Sequence, residues 1–287
     1  MITRDMEAGT ELWIWRGLAV RLPVDWEMLQ YSLNIESGRC GFADRYGFRF
    51  ELTWRRVEGA PDFDRMLSDY LAKLTEEGMQ DGHRIHNAGH EGLKGVMDGE
   101  TITRFGCFAT EASCLVELVF PWPNARDKVL EAGVLKSFSE TTADNTGCHR
   151  WRAFGLDVKV PSSLSLGACK VEPAHVEWQF MDRRGRVALR FSRRGMVDEW
   201  LHQSVRGWLE REVKLSDRPP ARWQHERVGR HAVDRVEGRS AARGWLRRSP
   251  SLRSEAWICP EDGRLYNWIA EARPGLPERP LVCCGGE

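Results

Sequence analysis

The chain has 287 residues, of which 41% are hydrophobic, 10% aromatic and 29% charged; this suits two ordinary domains and excludes a disordered tail or a fibrous repeat. No apolar run approaches the ~18 residues of a membrane span, and the best candidate, Cys114–Trp122, already carries Glu117. The 42 basic and 42 acidic side chains cancel, yet residues 1–146 hold 16 basic against 24 acidic and residues 147–287 hold 26 against 18, as expected of halves that attract each other or of one half with an anionic partner. The first thirty residues lack a continuous apolar stretch, so no secretory signal is read. Eight cysteines without paired spacing read as reduced thiols of a cytoplasmic protein.

Sliding the chain by 138 residues places Trp13 on Trp151, Gly17 on Gly155, Leu18 on Leu156, Val20 on Val158, Pro23 on Pro161 and Phe42 on Phe180. Asp44-Arg45-Tyr46-Gly47 then meets Asp182-Arg183-Arg184-Gly185, and Arg55-Arg56 meets Arg193-Arg194. Eleven identities between positions 13 and 56 mark a duplication, with repeats expected at 1–140 and 148–275 and a short polar linker over Ser139–Gly147.

In chain order, Leu18, Val20 and Leu22 alternate, as do Leu156, Val158 and Val160, which predicts a strand that proline ends in each copy. A second strand is expected over Met28–Ile35 and near Leu166–Trp178, before the Asp-Arg-x-Gly turn. The third carries Phe48, Phe50, Leu52 and Trp54, against Val187, Leu189 and Phe191. Its parity shifts by one between copies, so a bulge or an extra residue is expected there. Phe63, Met66, Leu67, Tyr70, Leu71 and Leu74 then predict a helix with Asp62 as N-cap and Gly78 as its stop. Val197, Trp200, Leu201, Val205, Trp208 and Leu209 predict its counterpart. Strands follow at Gly92–Val96, Thr101–Thr110 and Cys114–Phe120, matched with Gly229–Val233, Ser240–Leu246 and Glu255–Cys259, and Pro121 and Pro260 are expected to close the last of them. A closing helix is expected on Val129, Leu130, Val134, Leu135 and Phe138, and again on Leu265, Trp268, Ile269 and Ala272, ending at Pro274-Gly275.

Gly17-Leu18-x-Val20-x-Leu22-Pro23-x-x-Trp26 with Gly92-Leu93-Lys94-Gly95-Val96, and Gly155-Leu156-x-Val158-x-Val160-Pro161 with Gly229-Arg230-His231-Ala232-Val233, resemble the PsbP-like superfamily. It includes the PsbP subunits of photosystem II, the DcrB proteins and the Eag chaperones of type VI secretion. The resemblance implies an α+β class, with two tandem repeats that are each an antiparallel sheet packed by helices; the duplication itself leads us to expect that they associate as a pseudo-dimer within one chain. It also implies a chaperone-like adaptor that shields an apolar segment of a client protein.

No phosphate loop, dinucleotide fingerprint or nucleophile with its base can be read, so no enzyme and no cofactor are expected. His83, His86 and His90 are the densest group of potential ligands, but residues three apart on a strand face opposite sides. Vicinal Cys283-Cys284 could bind metal or oxidise but reads first as a frayed tail, and no metal site is expected. The binding candidates are therefore Trp15, Trp54 and Trp122, as interface aromatics. Arg184, Arg186 and Arg190 share a strand parity with Arg194 and could line a basic face, which makes nucleic acid or an anionic surface the alternative partner.

Overall fold

The computed structural model describes residues 9–216, 220–241, 250–271 and 278–284. The chain divides into two units, Met1–Thr142 and Ala143–Glu287.

In the first unit, β1 (Thr10–Trp15) and β2 (Leu18–Pro23) form a hairpin. Its turn residues Arg16 and Gly17 both take positive φ, 56° and 79°, the twist that matches paired strands. There follow β3 (Glu27–Gln30), β4 (Ser37–Asp44), β5 (Gly47–Arg56), α1 (Phe63–Glu76), β6 (Gln80–Asn87), β7 (His90–Met97), β8 (Glu100–Ala109), β9 (Cys114–Trp122), α2 (Lys128–Ser137) and β10 (Ser139–Glu140). They build a three-stranded group, β10-β2-β1, and a seven-stranded antiparallel sheet, β3-β4-β5-β9-β8-β7-β6.

The second unit comprises β11 (Cys148–Ala153), β12 (Leu156–Pro161), β13 (Ser165–Glu172), β14 (His175–Met181), β15 (Val187–Arg194), α3 (Val197–Trp200), α4 (Val205–Glu212), β16 (Arg222–Val228), β17 (His231–Arg239), β18 (Ser251–Ile258), β19 (Leu265–Glu271) and β20 (Leu281–Val282). Its small group is β11-β12-β20 and its large sheet β13-β14-β15-β19-β18-β17-β16. The large sheets therefore share one strand order. Pro23 and Pro161 end equivalent strands, and the bulges Met28/Gln30 and Phe42/Ala43 recur 138 residues on at Leu166/Ala168 and Phe180/Met181. The expected extra residue sits in the turn. Asp44 pairs with Gly47, whereas the Asp182 N–H reaches one residue further, to the Arg186 carbonyl. Phe42 consequently faces Phe50, while Phe180 faces Leu189.

The α+β class is corrected by this architecture. Among the described residues strands take up 54% and helices 14%, and the four helices found there are short. This is a β-rich antiparallel fold. The largest single misreading is β19, expected to be a helix. It lies between β15 and β18, with Leu265, Tyr266, Asn267, Trp268 and Ala270 all buried. A strand covered on both faces loses its period of two, and its apolar run then imitates helical spacing. The second-unit helix is broken into α3 and α4, the latter capped by Ser204, whose hydroxyl accepts the Gly207 N–H. Glu255–Cys259 belongs mostly to β18, so its counterpart is β8 and not β9. Pro121 lies inside β9, and Pro260 lies in the turn after β18. Residues 242–246 and 272–275 lie outside the described residues. β4 was not read from the sequence because glycines weaken its pattern. Both are required: a Cβ on Gly38 would sit 2.5 Å from the Trp54 ring and one on Gly41 2.8 Å from Phe48.

The first unit's core runs along one face of its large sheet. Trp13 meets Phe42 edge-on at 5.4 Å, Phe42 lies 5.7 Å from Phe50, and Phe50 5.0 Å from Phe120. In the second unit Trp151 meets Phe180 in the same edge-on way at 5.3 Å. Helix α1 packs Leu67 and Leu74 with Met79 and Leu93. Helix α4 packs Trp208 and Leu209 with Val236 and Ala256. Helix α2 is pinned by Glu131, which is fully buried. That carboxylate accepts from Asn87 and Thr103, both at 2.6 Å, and pairs with Arg126, the satisfaction that a buried charge demands.

Trp13→Ala and Trp151→Ala should each destabilise their own unit by about 3–5 kcal/mol, the usual cost of emptying a buried aromatic site. Denaturant unfolding followed separately for each unit measures this, and an unaffected unit in either variant would deny that contact its anchoring role.

Candidate metal centre

The hairpin β16–β17 turns at Gly229-Arg230, with Gly229 at φ 58°, and sets His231 as the first residue of β17. Cys259 directly follows β18. The Cys259 N–H donates to the Arg264 carbonyl at 2.9 Å, and its own carbonyl accepts the Gly263 N–H at 2.9 Å, so a closed turn fixes its direction. The third element is β20, whose Leu281 and Val282 pair with Val158 and Asp157 of β12. Cys283 and Cys284 come immediately after it.

These three segments bring four ligand atoms within 4.8 Å of one another, from His231, Cys259, Cys283 and Cys284. Nε2 of His231 lies 3.1 Å from Cys283 Sγ and 3.3 Å from Cys284 Sγ, and the two sulfurs are 3.7 Å apart. Bonds of about 2.3 Å from zinc to sulfur and about 2.0 Å to nitrogen require tetrahedron edges of roughly 3.8 Å between sulfurs and 3.5 Å between sulfur and nitrogen. The three distances among His231, Cys283 and Cys284 lie within about 0.4 Å of such edges, and Cys259 Sγ lies within 4.8 Å of all three atoms.

Its surroundings are those of a ligand shell. Cys259 is fully buried. The indole N–H of Trp257 donates to Cys283 Sγ at 3.2 Å. Trp257 also stacks on Tyr266 at 6.0 Å and meets the His231 ring edge-on at 6.3 Å. Burial pushes the Cys283 thiol up to about 12, against the pull of the Trp257 N–H, and raises Cys259 as well. Reactive cysteines are shifted the other way. A dication reverses this balance, since a coordinated thiol is deprotonated outright.

The residues singled out in the sequence lie elsewhere. Trp15, Trp54 and Trp122 are all buried rather than presented to a partner. Trp15 donates to the Ser32 carbonyl at 3.1 Å and Trp54 to that of Asn34 at 3.3 Å. Trp122 is a strand residue, stacked on Phe120 at 5.8 Å and donating to Thr103. Ala19, on the parity of β2 opposite to Leu18, Val20 and Leu22, is buried too, because β1 and β2 bury residues of both parities.

The arginine stripe is divided. Arg184 is exposed at the turn, where Asp182 accepts its N–H, and Arg186 pairs with Asp182 at 2.8 Å. Arg190 and Arg194 both reach Glu212 of α4 at 3.5 Å. His83 and His86 are exposed and engaged separately, with the Asp81 carbonyl and with Glu91.

Sequence reading missed the cluster because its ligands come from three separate segments with none of the paired Cys-x-x-Cys spacing of zinc motifs. The vicinal Cys283-Cys284 pair was the available signal, and the structure seats it instead of leaving it a frayed tail. No protein-family model matches the chain, and no curated protein matches it.

Trp257→Phe keeps the aromatic packing but removes the N–H donor to Cys283. Loss of such a partner costs roughly 10–100-fold in metal affinity. Zinc competition with a chromophoric chelator should show that loss with the fold intact, and unchanged affinity would mean the indole does not orient the thiolate.

Proposed function

We propose that this is a metal-binding protein whose second unit holds one thiophilic ion, zinc before others, through His231, Cys259, Cys283 and Cys284. The convergence of one imidazole and three thiols within 4.8 Å carries the reading. Sulfur and imidazole donors select zinc-class ions and discriminate against calcium and magnesium, which need oxygen. Four protein ligands fill a tetrahedron and leave no position for water or substrate, the pattern of structural sites in contrast to catalytic ones. A chaperone for an apolar client would need an open aromatic face, and Trp15, Trp54 and Trp122 supply none.

The full chain, purified under reducing conditions, should bind one zinc ion. Cobalt bound in its place should give the intense visible absorption of a tetrahedral thiolate complex. Cys259→Ser and Cys283→Ser should each abolish that absorption, and His231→Cys should retain it. Binding of less than half an equivalent of zinc, or a cobalt spectrum indifferent to the cysteine substitutions, would sink the proposal.

A further inference from the structure

The two units close their small strand group at the same place by different means. In the first unit β10 lays Ser139 and Glu140 beside Ala19 and Leu18 of β2. In the second, β20 lays Val282 and Leu281 beside Asp157 and Val158 of β12, and Asp157 is Ala19 displaced by the repeat offset of 138. Each closing strand has two residues, too few to hold by ladder pairing alone.

In the first unit the anchor is protein. β10 follows α2 directly, and α2 is held by buried Glu131 and by Ser137, whose hydroxyl accepts the Arg21 N–H of β2 at 2.9 Å. The Glu140 carboxylate then accepts the Ala112 N–H at 3.0 Å, in the β8–β9 turn, and Thr141 donates to the Gly17 carbonyl at 2.7 Å.

The corresponding connection in the second unit is shorter. Residues 272–280 connect β19 to β20, fewer than the ten residues of α2 alone. Among the described residues, β20 is tied by a Lys159 N–H to the Pro280 carbonyl at 2.8 Å, by Arg253 to the Glu278 carbonyl at 3.1 Å, and then by the cysteines. Cys283 follows Val282 as Glu140 follows Ser139. It is drawn to Cys259 at the β18–β19 turn, the counterpart of the turn that Glu140 grips.

Resting on the metal site proposed above, we infer that the bound ion is the clamp that seats the last strand of the second unit, doing there what helix α2 does in the first. Metal loss releases residues 278–284 from β12 while leaving the first unit's β10 in place. The clamp covers the β12 edge when loaded and exposes it when empty, which makes occupancy of the site a switch on that edge.

Hydrogen exchange on the full chain, kept reduced and compared with one equivalent of zinc and with a chelator, reads this directly. Leu281, Val282 and the β12 amides should exchange at least roughly tenfold faster after chelation, as a locally released segment does, with Ser139–Thr141 unchanged as the internal control. His231→Cys with zinc should keep the protection, and Cys284→Ser should lose it at matched zinc. If one equivalent of zinc binds but exchange at 281–282 is the same with and without it, the clamp is overturned and the metal site stands. If no zinc binds, both fall. Equal loosening of both units would assign zinc a global role and likewise overturn the clamp.

Discussion

An indole meeting a phenyl edge-on, Trp13 on Phe42 and Trp151 on Phe180, is the contact on which each unit depends. It joins the opening hairpin of the unit to the second strand of its large sheet, two segments that share no ladder. In both units the phenylalanine stands at a bulge, where the strand bends and its twist increases. Without the bulge, the residues beyond it would turn to the other face. Edge-to-face geometry contributes about 0.5–1.5 kcal/mol beyond the area it buries, and the buried indole itself contributes more. Around this contact much else has drifted: Trp26 stands where the second unit has Leu164, and Phe50 faces Phe42 where Leu189 faces Phe180.

The opening of each repeat was legible because it is locally determined. Alternation over Leu18–Leu22 and Leu156–Val160 gives strands that end at proline. Three-four spacing from Phe63 with Asp62 gives a capped helix, in which the carboxylate accepts the Arg65 N–H at 3.2 Å. The closing half of the second repeat was not legible, since its order is set by tertiary burial. β19 sits mid-sheet, and an unbroken apolar run carries no period that separates a strand from a helix. Misreading it shifted the strand match by one and gave helices more of the fold than they have. The metal ligands were illegible for a related reason: topology, and not spacing, brings His231, Cys259 and Cys283-Cys284 together.

Part of the basic charge of the second half has a local explanation. Arg235 and Arg253 both reach Glu255, at 2.6 and 3.1 Å, and Trp268 donates to the same buried carboxylate at 3.2 Å. Arg150 and Arg152 share Asp157, and Arg190 and Arg194 share Glu212. Two guanidinium groups on one carboxylate add one net positive charge while both stay paired. Each such pair also satisfies a carboxylate that burial would otherwise penalise. The second arginine at each of these three carboxylates therefore belongs to the packing of this unit.

A duplicated β unit must solve one problem twice, namely how to hold a closing strand of two residues against an edge. A helix that follows the large sheet solves it with buried surface and a satisfied carboxylate, and needs residues 123–138 to do so. A shorter connection forgoes that surface. Side chains must then supply the holding force at a point, and few point contacts in water are strong enough, since an exposed ion pair contributes little. Coordination by thiolates and imidazole is the exception, because metal binding is itself folding free energy. Cys283 and Cys284 meet that need at the first positions past the strand, with Cys259 and His231 presented by the turn and strand they must reach. On this argument the shorter connection and the thiol cluster are one adaptation, in which the ligands stand where the helix no longer reaches.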